Sequence, residues 1–326
     1  MAYAWFVEQP GGDFIQREVP RPILGPGQVL VRIAASGVNP LDTKIRAAKA
    51  AHARQPLPAV LGVDMAGTVE EAAPDVSAFR PGDEVYGMVG GVGGLQGTLA
   101  ELIAVDSSLL ARKPRDLSMH QAAALPLSTI TAWEGLVDRA RVHHGQTVLI
   151  HAGAGGVGHI ATQLALAFGA QVFATVSPAK KSIVENYGAT PIDYTSTTVE
   201  QYVDNNTAGL GFDIVYDTVG GPTLDASLTA VKRYTGHALS CLGWGSHSLA
   251  PLSFRGATYS GVFTLLPLLT GIGRAHHSEI LSQAAALVEL GKLTPMLNDQ
   301  HFTTENIAAA HSLVEKGANG KVVIDL

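Results

Sequence analysis

The stretch at residues 147–158, TVLIHAGAGGVG, constrains the fold of this chain more than any other segment. A short apolar run leads into a glycine motif, Gly153-x-Gly155-Gly156-x-Gly158, in which Val157 is the bulkiest member. In a strand, turn and helix start of this kind, backbone N–H groups at the helix N-terminus face a pyrophosphate, and the glycines permit its close approach. The motif therefore predicts a dinucleotide site. A glycine turn without a ligand is the alternative.

The residues after the motif complete a structural unit. Ile160, Leu164 and Phe168 recur every four residues, which places them on one helix face, and Gly169 is suited to end that helix. Residues 171–177, QVFATVS, have the composition of a second strand. Later segments continue the alternation of strand and helix as far as residues 257–262. This order predicts a doubly wound parallel sheet.

The end of the second predicted strand indicates which dinucleotide binds. A site for NAD places an Asp or Glu there to accept the ribose 2′-hydroxyl, and that carboxylate would repel a 2′-phosphate. This chain has Ser177, followed by Pro178, Ala179, Lys180 and Lys181. Residues 139–184 contain no Asp or Glu, although the chain average of 28 acids in 326 residues would give that window about four. We therefore expect NADPH.

The two lysines have an alternative interpretation as an ordinary solvated helix start. Lysines in the first turn oppose the helix macrodipole, so this position offers them little structural advantage. A phosphate ligand explains them better.

Length and composition limit the remaining possibilities. A chain of 326 residues is long enough for two domains. Its net charge of −6 gives no support to nucleic-acid or membrane binding, and its one cysteine, Cys241, excludes an internal disulfide. No charged leader followed by an apolar run, and no apolar stretch of about 20 residues, is visible. We expect a soluble cytoplasmic protein.

Residues 1–122 have a different texture from the alternating region. Short strand patterns are broken by Gly and Pro, for example around residues 29–33, 62–69 and 82–86, so this region is expected to be rich in β-structure. Residues 278–290 and 305–315 are helix candidates, and residues 321–326 a closing strand. The glycine cluster at residues 90–94 predicts a mobile surface loop, with a lid as the alternative.

Several motifs together resemble one protein family. The chain is similar to the medium-chain dehydrogenase/reductase superfamily, in its zinc-free quinone oxidoreductase (ζ-crystallin-like) branch, over essentially its whole length. The resemblance depends, besides the glycine motif, on SGVNPLD at 36–42, GVD at 62–64, PGDEV at 81–85, AAALPLSTITAWEGL at 122–136, FDIVYDTVGG at 212–221 and GANGKVV at 317–323.

The resemblance implies an α/β architecture with two domains. A Rossmann domain binding NADPH is expected at residues 123–264. A β-rich GroES-like catalytic domain is expected from both chain ends, residues 1–122 and 265–326. The family also implies a homodimer joined through the edges of the nucleotide-domain sheet.

The same comparison implies that no metal takes part. Zinc-dependent relatives have a cysteine ligand at the position of Asn39 and a histidine ligand at that of Val63, and neither ligand type is present. One cysteine cannot supply a structural zinc lobe. The adjacent pairs at residues 143–144 and 276–277 have no third ligand at a suitable spacing. We therefore expect no functional metal site.

Without a Lewis acid, hydride transfer suits an acceptor that is already electrophilic. Quinones and α,β-unsaturated carbonyls are therefore the expected substrates. The resemblance places Asn39 and Thr131 at the nicotinamide, where Asn39 could alternatively donate to the substrate oxygen. Their structural alternatives are an Asx turn before Pro40 and a helix cap. Asp42 and Asp64 are expected to be structural.

The resemblance also implies further residues that are expected to contact the cofactor. Beyond the glycine motif with Val157, Ser177 and Lys181, they are Tyr194, Val219, Gly220, Leu242, Gly243, Trp244, Asn319 and Lys321. Trp244 could stack on an aromatic substrate or simply pack at the surface. Two alternatives to the quinone or enone reductase stay open: an enoyl-thioester reductase, and an NADPH-binding sensor or structural protein with little turnover.

Overall fold

The computed structural model describes residues 1–326, which form two compact units. The first unit comprises Met1–Ile130, Leu265–Gly291 and Pro295–Leu326, and the second comprises Thr131–Thr264 and Lys292–Thr294. The strands, in chain order, are β1 (Ala2–Val7), β2 (Phe14–Val19), β3 (Gln28–Val38), β4 (Ala59–Val60), β5 (Asp64–Ala72), β6 (Glu84–Met88), β7 (Leu102–Asp106), β8 (Leu110–Arg112), β9 (Thr147–Ile150), β10 (Gln171–Val176), β11 (Thr190–Asp193), β12 (Ile214–Asp217), β13 (His237–Ser240), β14 (Thr258–Gly261), β15 (Phe302–Thr303) and β16 (Val322–Asp325).

The helices are mostly short. In chain order they are α1 (Pro40–Arg46), α2 (Met119–Ala123), α3 (Pro126–Trp133), α4 (Gly158–Ala167), α5 (Lys181–Tyr187), α6 (Val199–Thr207), α7 (Pro222–Ala230), α8 (Ala250–Arg255), α9 (Leu266–Thr270), α10 (Arg274–Glu289) and α11 (Ile307–Glu315). A π-helical segment, Glu134–Arg139, follows α3, and single 3-10 turns lie at Ala51–Ala53, Ser107–Leu109 and Pro178–Lys180. No helix is long and apolar enough to cross a membrane.

The second unit contains the parallel sheet that the sequence predicts. Its six strands lie in the order β11-β10-β9-β12-β13-β14, with all pairs parallel. The chain moves outward in both directions from β9, so the strand order reverses there. Because ligands bind beyond the carboxyl ends of strands at such a switch point, this edge of the sheet is the expected site.

Apolar packing fixes the sheet in place. Leu149 of β9 and Phe173 of β10 are buried together with Phe212, whose ring centroid lies 5.4 Å from that of Phe173. Leu224 and Leu228 of α7 belong to the same cluster. Fully burying one such side chain contributes about 1.5–3 kcal/mol to stability. The alternation of strand and helix that the sequence predicts around and after the glycine motif is confirmed.

Both chain ends build the first unit. One sheet has the order β2-β1-β4, and a larger one has the order β15-β16-β3-β5-β6-β8, with β7 also pairing with β3. The C-terminal strand β16 runs antiparallel to β3, with Val322 opposite Val38. On β3 the next neighbour is β5, where Asp64 lies opposite Gly37. The predicted fold class, a Rossmann sheet with a separate β-rich domain, is confirmed.

Some local predictions need correction. Helix α10 starts at Arg274, four residues before the predicted residue 278, directly after Gly273, which has a φ of 82°. The glycine cluster at 90–94 is not a simple surface loop, because Val92 is fully buried and a Cβ on Gly91 would lie 2.5 Å from the carbonyl oxygen of Gly62. Only Gly93 and Gly94 of that segment are exposed.

Candidate active site

The glycine motif forms the turn between β9 and α4. None of its glycines has a positive φ; the left-handed residue is Ala152, with a φ of 52°. Steric space explains the glycines instead. A Cβ on Gly158 would lie 2.0 Å from the carbonyl oxygen of Ala152, and a Cβ on Gly153 would lie 2.4 Å from the Cβ of Ala174 in β10. The turn can therefore lie directly against the sheet, and the first turn of α4 leaves backbone N–H groups for a ligand.

Three predicted contacts lie after strands β10 and β11, on one side of β9. Ser177 follows β10 and precedes the 3-10 turn, Lys181 begins α5, and Tyr194 follows β11 with its side chain largely exposed. Strands β10 and β11 are parallel neighbours, with Val176 opposite Asp193. The structure thus brings these residues to one edge of the sheet.

Asp193 is a residue that the sequence prediction did not consider. It ends β11, and its carboxylate accepts hydrogen bonds from Thr195 and Ser196. The hydrogen bonds from Thr195, with a smaller contribution from the positive charge of Lys181, lower the pKa of Asp193. Its negative charge beside Lys181 reduces the positive potential expected from the acid-free window, which ends at residue 184.

The loops after β12 and β13 also lie side by side. Asp217 at the end of β12 accepts hydrogen bonds from the backbone N–H groups of Val219 and Gly220, both at 2.9 Å. Gly220 has a φ of 84°, and a Cβ there would lie 2.7 Å from the carbonyl oxygen of Leu242. The loop after β13 continues through Gly243 to Trp244. These residues therefore face the same carboxyl edge of the sheet as the glycine turn.

Trp244 is half exposed and packs edge-to-face on Phe263, with ring centroids 6.2 Å apart. This geometry agrees with the surface-packing interpretation and leaves one part of the indole accessible.

His151 is a second residue that the sequence prediction did not consider. It follows β9 directly, burial lowers the pKa of its imidazole to about 4, and its Nε2 has no hydrogen-bond partner. The sequence signal that could have identified His151 is its position just before the glycine motif.

The first unit contains a buried polar cluster around Asn39. Strand register creates it: Asn39 follows β3, Lys321 precedes β16, and Asp64 begins β5 next to the end of β3. The Nδ2 group of Asn39 donates to Oδ2 of Asp64 at 2.9 Å, and Nζ of Lys321 donates to Oδ1 of Asn39. Because an ammonium can only donate, this contact fixes the orientation of the amide.

Two carboxylates complete the cluster. Asp64 also accepts from the backbone N–H of Leu127 at 2.9 Å, in the first turn of α3, and Asp42 accepts from the backbone N–H of Asn39 at 2.7 Å. The Nζ atom of Lys321 lies 4.0 Å from Oδ2 of Asp64. All four side chains are buried. Asp42 and Asp64 are therefore buried hydrogen-bond acceptors within this cluster.

Burial dominates the electrostatics of this cluster. Loss of hydration raises the pKa of Asp42 to about 7, and the charge of Asp64 adds to that shift. Burial also raises the pKa of Asp64 to about 6, although Lys321 and the Asn39 hydrogen bond oppose the rise. The pKa of Lys321 is lowered by burial, against the attraction of both carboxylates. Burial therefore disfavours the charged form of each of these three groups.

The remaining predicted residues have distinct environments. Thr131 lies inside α3, so it does not cap that helix, and its carbonyl oxygen accepts from the hydroxyl of Tyr216 at 2.6 Å. Asn319 is exposed, and its carbonyl oxygen accepts from Nδ2 of Asn298. The side chain of Asn39 makes hydrogen bonds with Asp64 and Lys321. Because Asn39 is fully buried, its amide has no contact with solvent.

Two family models match the chain. The alcohol dehydrogenase GroES-like domain matches residues 25–115, and the zinc-binding dehydrogenase model matches residues 187–324. Among curated proteins, the 2-methylene-furan-3-one reductase of Solanum lycopersicum is 35% identical, with 95% of this chain and 74% of that protein covered. The chloroplastic NADPH-dependent alkenal/one oxidoreductase of Arabidopsis thaliana is 34% identical, with 98% and 78% covered.

A third relative is much longer than this chain. The spectinabilin polyketide synthase system protein NorB of Streptomyces orinoci is 34% identical over 100% of this chain, which spans only 14% of that protein.

Solved structures share the whole fold. An alcohol dehydrogenase superfamily protein from Novosphingobium aromaticivorans is 56% identical, with a TM-score of 0.98 and 100% of both chains covered. The quinone oxidoreductase of Pseudomonas syringae pv. Tomato DC3000 is 27% identical, with a TM-score of 0.85 and 100% of both chains covered. The enoyl reductase CurK is 25% identical, with a TM-score of 0.86 and 99% of both chains covered.

Proposed function

The chain belongs to the medium-chain dehydrogenase/reductase superfamily, in its quinone oxidoreductase branch, and on that premise we propose that it is an NADPH-dependent oxidoreductase. Its proposed substrates are quinones and α,β-unsaturated carbonyls, which accept a hydride without help from a metal. The observation that carries the proposal is the convergence of the glycine turn, Ser177, Lys181 and Tyr194 at the carboxyl edge of the parallel sheet. The second unit, extended to residues 123–264, is then the nucleotide domain.

The nicotinamide, when bound, supplies the hydride. The protein's part is to hold the nucleotide, exclude water and stabilise negative charge on the acceptor oxygen. Backbone N–H groups at the start of α4 fit the pyrophosphate, and the hydroxyl of Ser177 with the ammonium of Lys181 fits a 2′-phosphate. Val219, Gly220, Leu242 and Gly243 supply backbone along the same edge. Residues 1–122 and 265–326 then form the substrate domain.

We propose that Asn39 stabilises the negative charge that develops on the acceptor oxygen. The Nδ2 group of Asn39 donates to Asp64, so the amide is already oriented within the cluster. The positive charge of Lys321 on Oδ1 polarises the amide and makes its N–H groups stronger donors. One donor of this kind is worth about 2.7–4 kcal/mol in a transition state. Because the side chain is fully buried, a ligand must displace its neighbours to reach it. Thr131 is assigned to the nicotinamide.

Absorbance at 340 nm tests the proposal directly. Purified protein with NADPH should oxidise the cofactor only when a quinone or enone is added, and NADH should be a poorer donor. The comparison with NADH, at equal concentrations, is the matched control. Tight binding of NADPH without oxidation by any acceptor would reject the enzyme and leave the sensor or structural alternative.

An enoyl-thioester reductase is the second candidate. It is favoured by similarity to NorB over the full length of this chain and to the enoyl reductase CurK. The relative kcat/KM values for a quinone, an enone and a crotonyl thioester distinguish the two candidate activities. A thioester value more than about tenfold above the others would make the second candidate the better one, since that ratio is about 1.4 kcal/mol of differential transition-state binding.

A further inference from the structure

Three potential metal ligands converge in the first unit, away from the residues assigned to the reaction. They are His120, His301 and Asp325, and one ligand atom from each lies within 4.8 Å of the other two. Nδ1 of His120 is 2.8 Å from Oδ1 of Asp325, and Nδ1 of His301 is 3.4 Å from Oδ2 of the same carboxylate. The imidazole rings are nearly parallel, with an interplanar angle of 24° and centroids 6.2 Å apart.

Regular elements hold these side chains in place. His120 lies on α2, whose first turn is fixed by reciprocal hydrogen bonds between Ser118 and Gln121. Asp325 ends β16, where it pairs with Ala35 of β3. His301 directly precedes β15, the parallel neighbour of β16. The backbone positions of the ligands are therefore set by the fold itself, so binding requires the ordering of side chains only.

We propose that His120, His301 and Asp325 form a site for one divalent transition-metal ion, with Zn²⁺ as the expected occupant. Two imidazoles and a carboxylate are a common donor set for zinc with an open fourth position. With ligand bonds of about 2.0–2.1 Å, neighbouring ligand atoms in a tetrahedron lie about 3.3 Å apart. The two imidazoles lie 2.8 Å and 3.4 Å from different oxygens of the Asp325 carboxylate, so small side-chain rotations would bring one ligand atom from each residue to that spacing. Mg²⁺ and Ca²⁺ are disfavoured because both prefer oxygen ligands.

The site is separate from the Asn39 cluster. Asp325 ends β16 and lies four residues beyond Lys321, which directly precedes that strand; four extended residues correspond to about 13 Å. A bound ion would therefore join α2 to the last residues of the chain rather than take part in hydride transfer. Its consequence is structural: metal binding stabilises the folded state by mass action and fastens the C-terminal strand.

This proposal departs from the sequence-based expectation of no functional metal site. The adjacent histidine pairs at residues 143–144 and 276–277 lack a third ligand of suitable spacing. The three residues proposed here are far apart in the sequence and meet only through the pairing of β16 with β3 and the packing of α2. No local spacing rule could have identified them.

Isothermal titration of the full chain, previously treated with a chelator, with Zn²⁺ tests the proposal. We expect one ion per chain with a Kd in the micromolar range or tighter, and weakening by at least about tenfold in His301→Ala. His301 is 68% exposed in its side chain, so this substitution should not affect folding. Asp325→Asn should weaken binding similarly. Zn²⁺, but not Mg²⁺, should raise the Tm of the wild type.

His276→Ala is the matched control, because His276 is also a surface histidine beside a carboxylate, 3.1 Å from Oε2 of Glu279. It should bind Zn²⁺ as the wild type does. Absence of Zn²⁺ binding to the wild type would overturn the proposal. Equal affinity in the wild type and His301→Ala would also overturn it, because the ion would then lie elsewhere. Neither result depends on the proposed reductase activity.

Discussion

The side-chain amide of Asn39 lies between a carboxylate, Asp64, and an ammonium group, Lys321, and both determine its orientation. Lys321 can only donate, so it fixes Oδ1, while Asp64 can accept the opposite end of the amide at 2.9 Å. Lys321 was predicted to contact the cofactor, but its ammonium is buried against Asn39. The structure therefore suggests that Lys321 acts on a ligand through Asn39.

Replacing Asn39 tests this arrangement. Asn39→Ala should lower kcat about 10²–10³-fold because it removes one donor worth about 2.7–4 kcal/mol. Asn205→Ala, at an exposed position on α6 with no assigned role, is the control and should keep near-normal kcat. Kinetic assays with a quinone or enone, together with Tm, make the comparison. A loss of Tm with unchanged kcat in the folded fraction would assign Asn39 a structural role only.

Asp42 supplies a prediction for pH dependence. Its folded pKa of about 7 lies above the ordinary 3.8, so the stability that it gains from protonation is complete below about pH 4 and is lost as pH rises through 7. Asp42→Asn keeps an acceptor for the Asn39 N–H but cannot ionise. The variant should gain at least about 3 °C in Tm over the wild type between pH 5 and pH 8. Parallel Tm curves would contradict the raised pKa.

At the scale of elements, the glycine turn works through close packing. A Cβ at Gly158 would meet the Ala152 carbonyl oxygen at 2.0 Å, so α4 could not start where it does. This spacing, and not a positive φ, explains why glycine is needed at the start of the helix. The sequence motif identified the positions but not the reason for them.

Gly158→Ala should therefore abolish measurable NADPH binding and lower stability by about 1–3 kcal/mol, the usual cost of overpacking. Gly261→Ala in β14 is the control, because its nearest neighbour to a Cβ is 3.9 Å away. Fluorescence titration with NADPH and urea unfolding give the two readouts. Normal NADPH affinity in Gly158→Ala would show that the ligand does not use this turn.

We propose that the segment after β10 sets the cofactor preference. Lys181→Ala should weaken NADPH binding by about tenfold, which corresponds to the loss of one charge-assisted hydrogen bond, while NADH binding changes little. Lys180→Ala is the matched control on the neighbouring lysine. The measurement is the dissociation constant of NADPH and of NADH for the wild type and both variants. An equal loss for NADPH and NADH would remove Lys181 from the phosphate site.

At the scale of the whole molecule, the parallel sheet ends in β14, whose outer backbone edge has no partner strand in the chain. Unpaired edges favour pairing with another copy. We therefore expect a homodimer, as the family resemblance implies, and light scattering in solution should give twice the chain mass of 34.0 kDa. A monomer at micromolar concentration would contradict this expectation.

The sequence by itself determined the parallel sheet and the glycine turn, because both arise from local patterns: apolar runs, helical spacing and a motif within twelve residues. It also identified most strand-end positions, since a resemblance carries residues over one by one. Asp193 was missed because it belongs to no recognised pattern, and His151 was missed because its only signal is its position just before the glycine motif. Helix bounds shifted by a few residues because tertiary packing, not propensity, fixes where a helix begins.

Only the tertiary structure decided which distant residues meet. Strand register places Lys321 against Asn39, and the pairing of β16 brings Asp325 to His120; neither contact has a sequence signal. The same burial sets the pKa values of Asp42 and Asp64, because loss of hydration depends on the complete fold. Local motifs can be identified from the sequence because their residues are close in the chain. Contacts between distant residues form only when the whole unit folds.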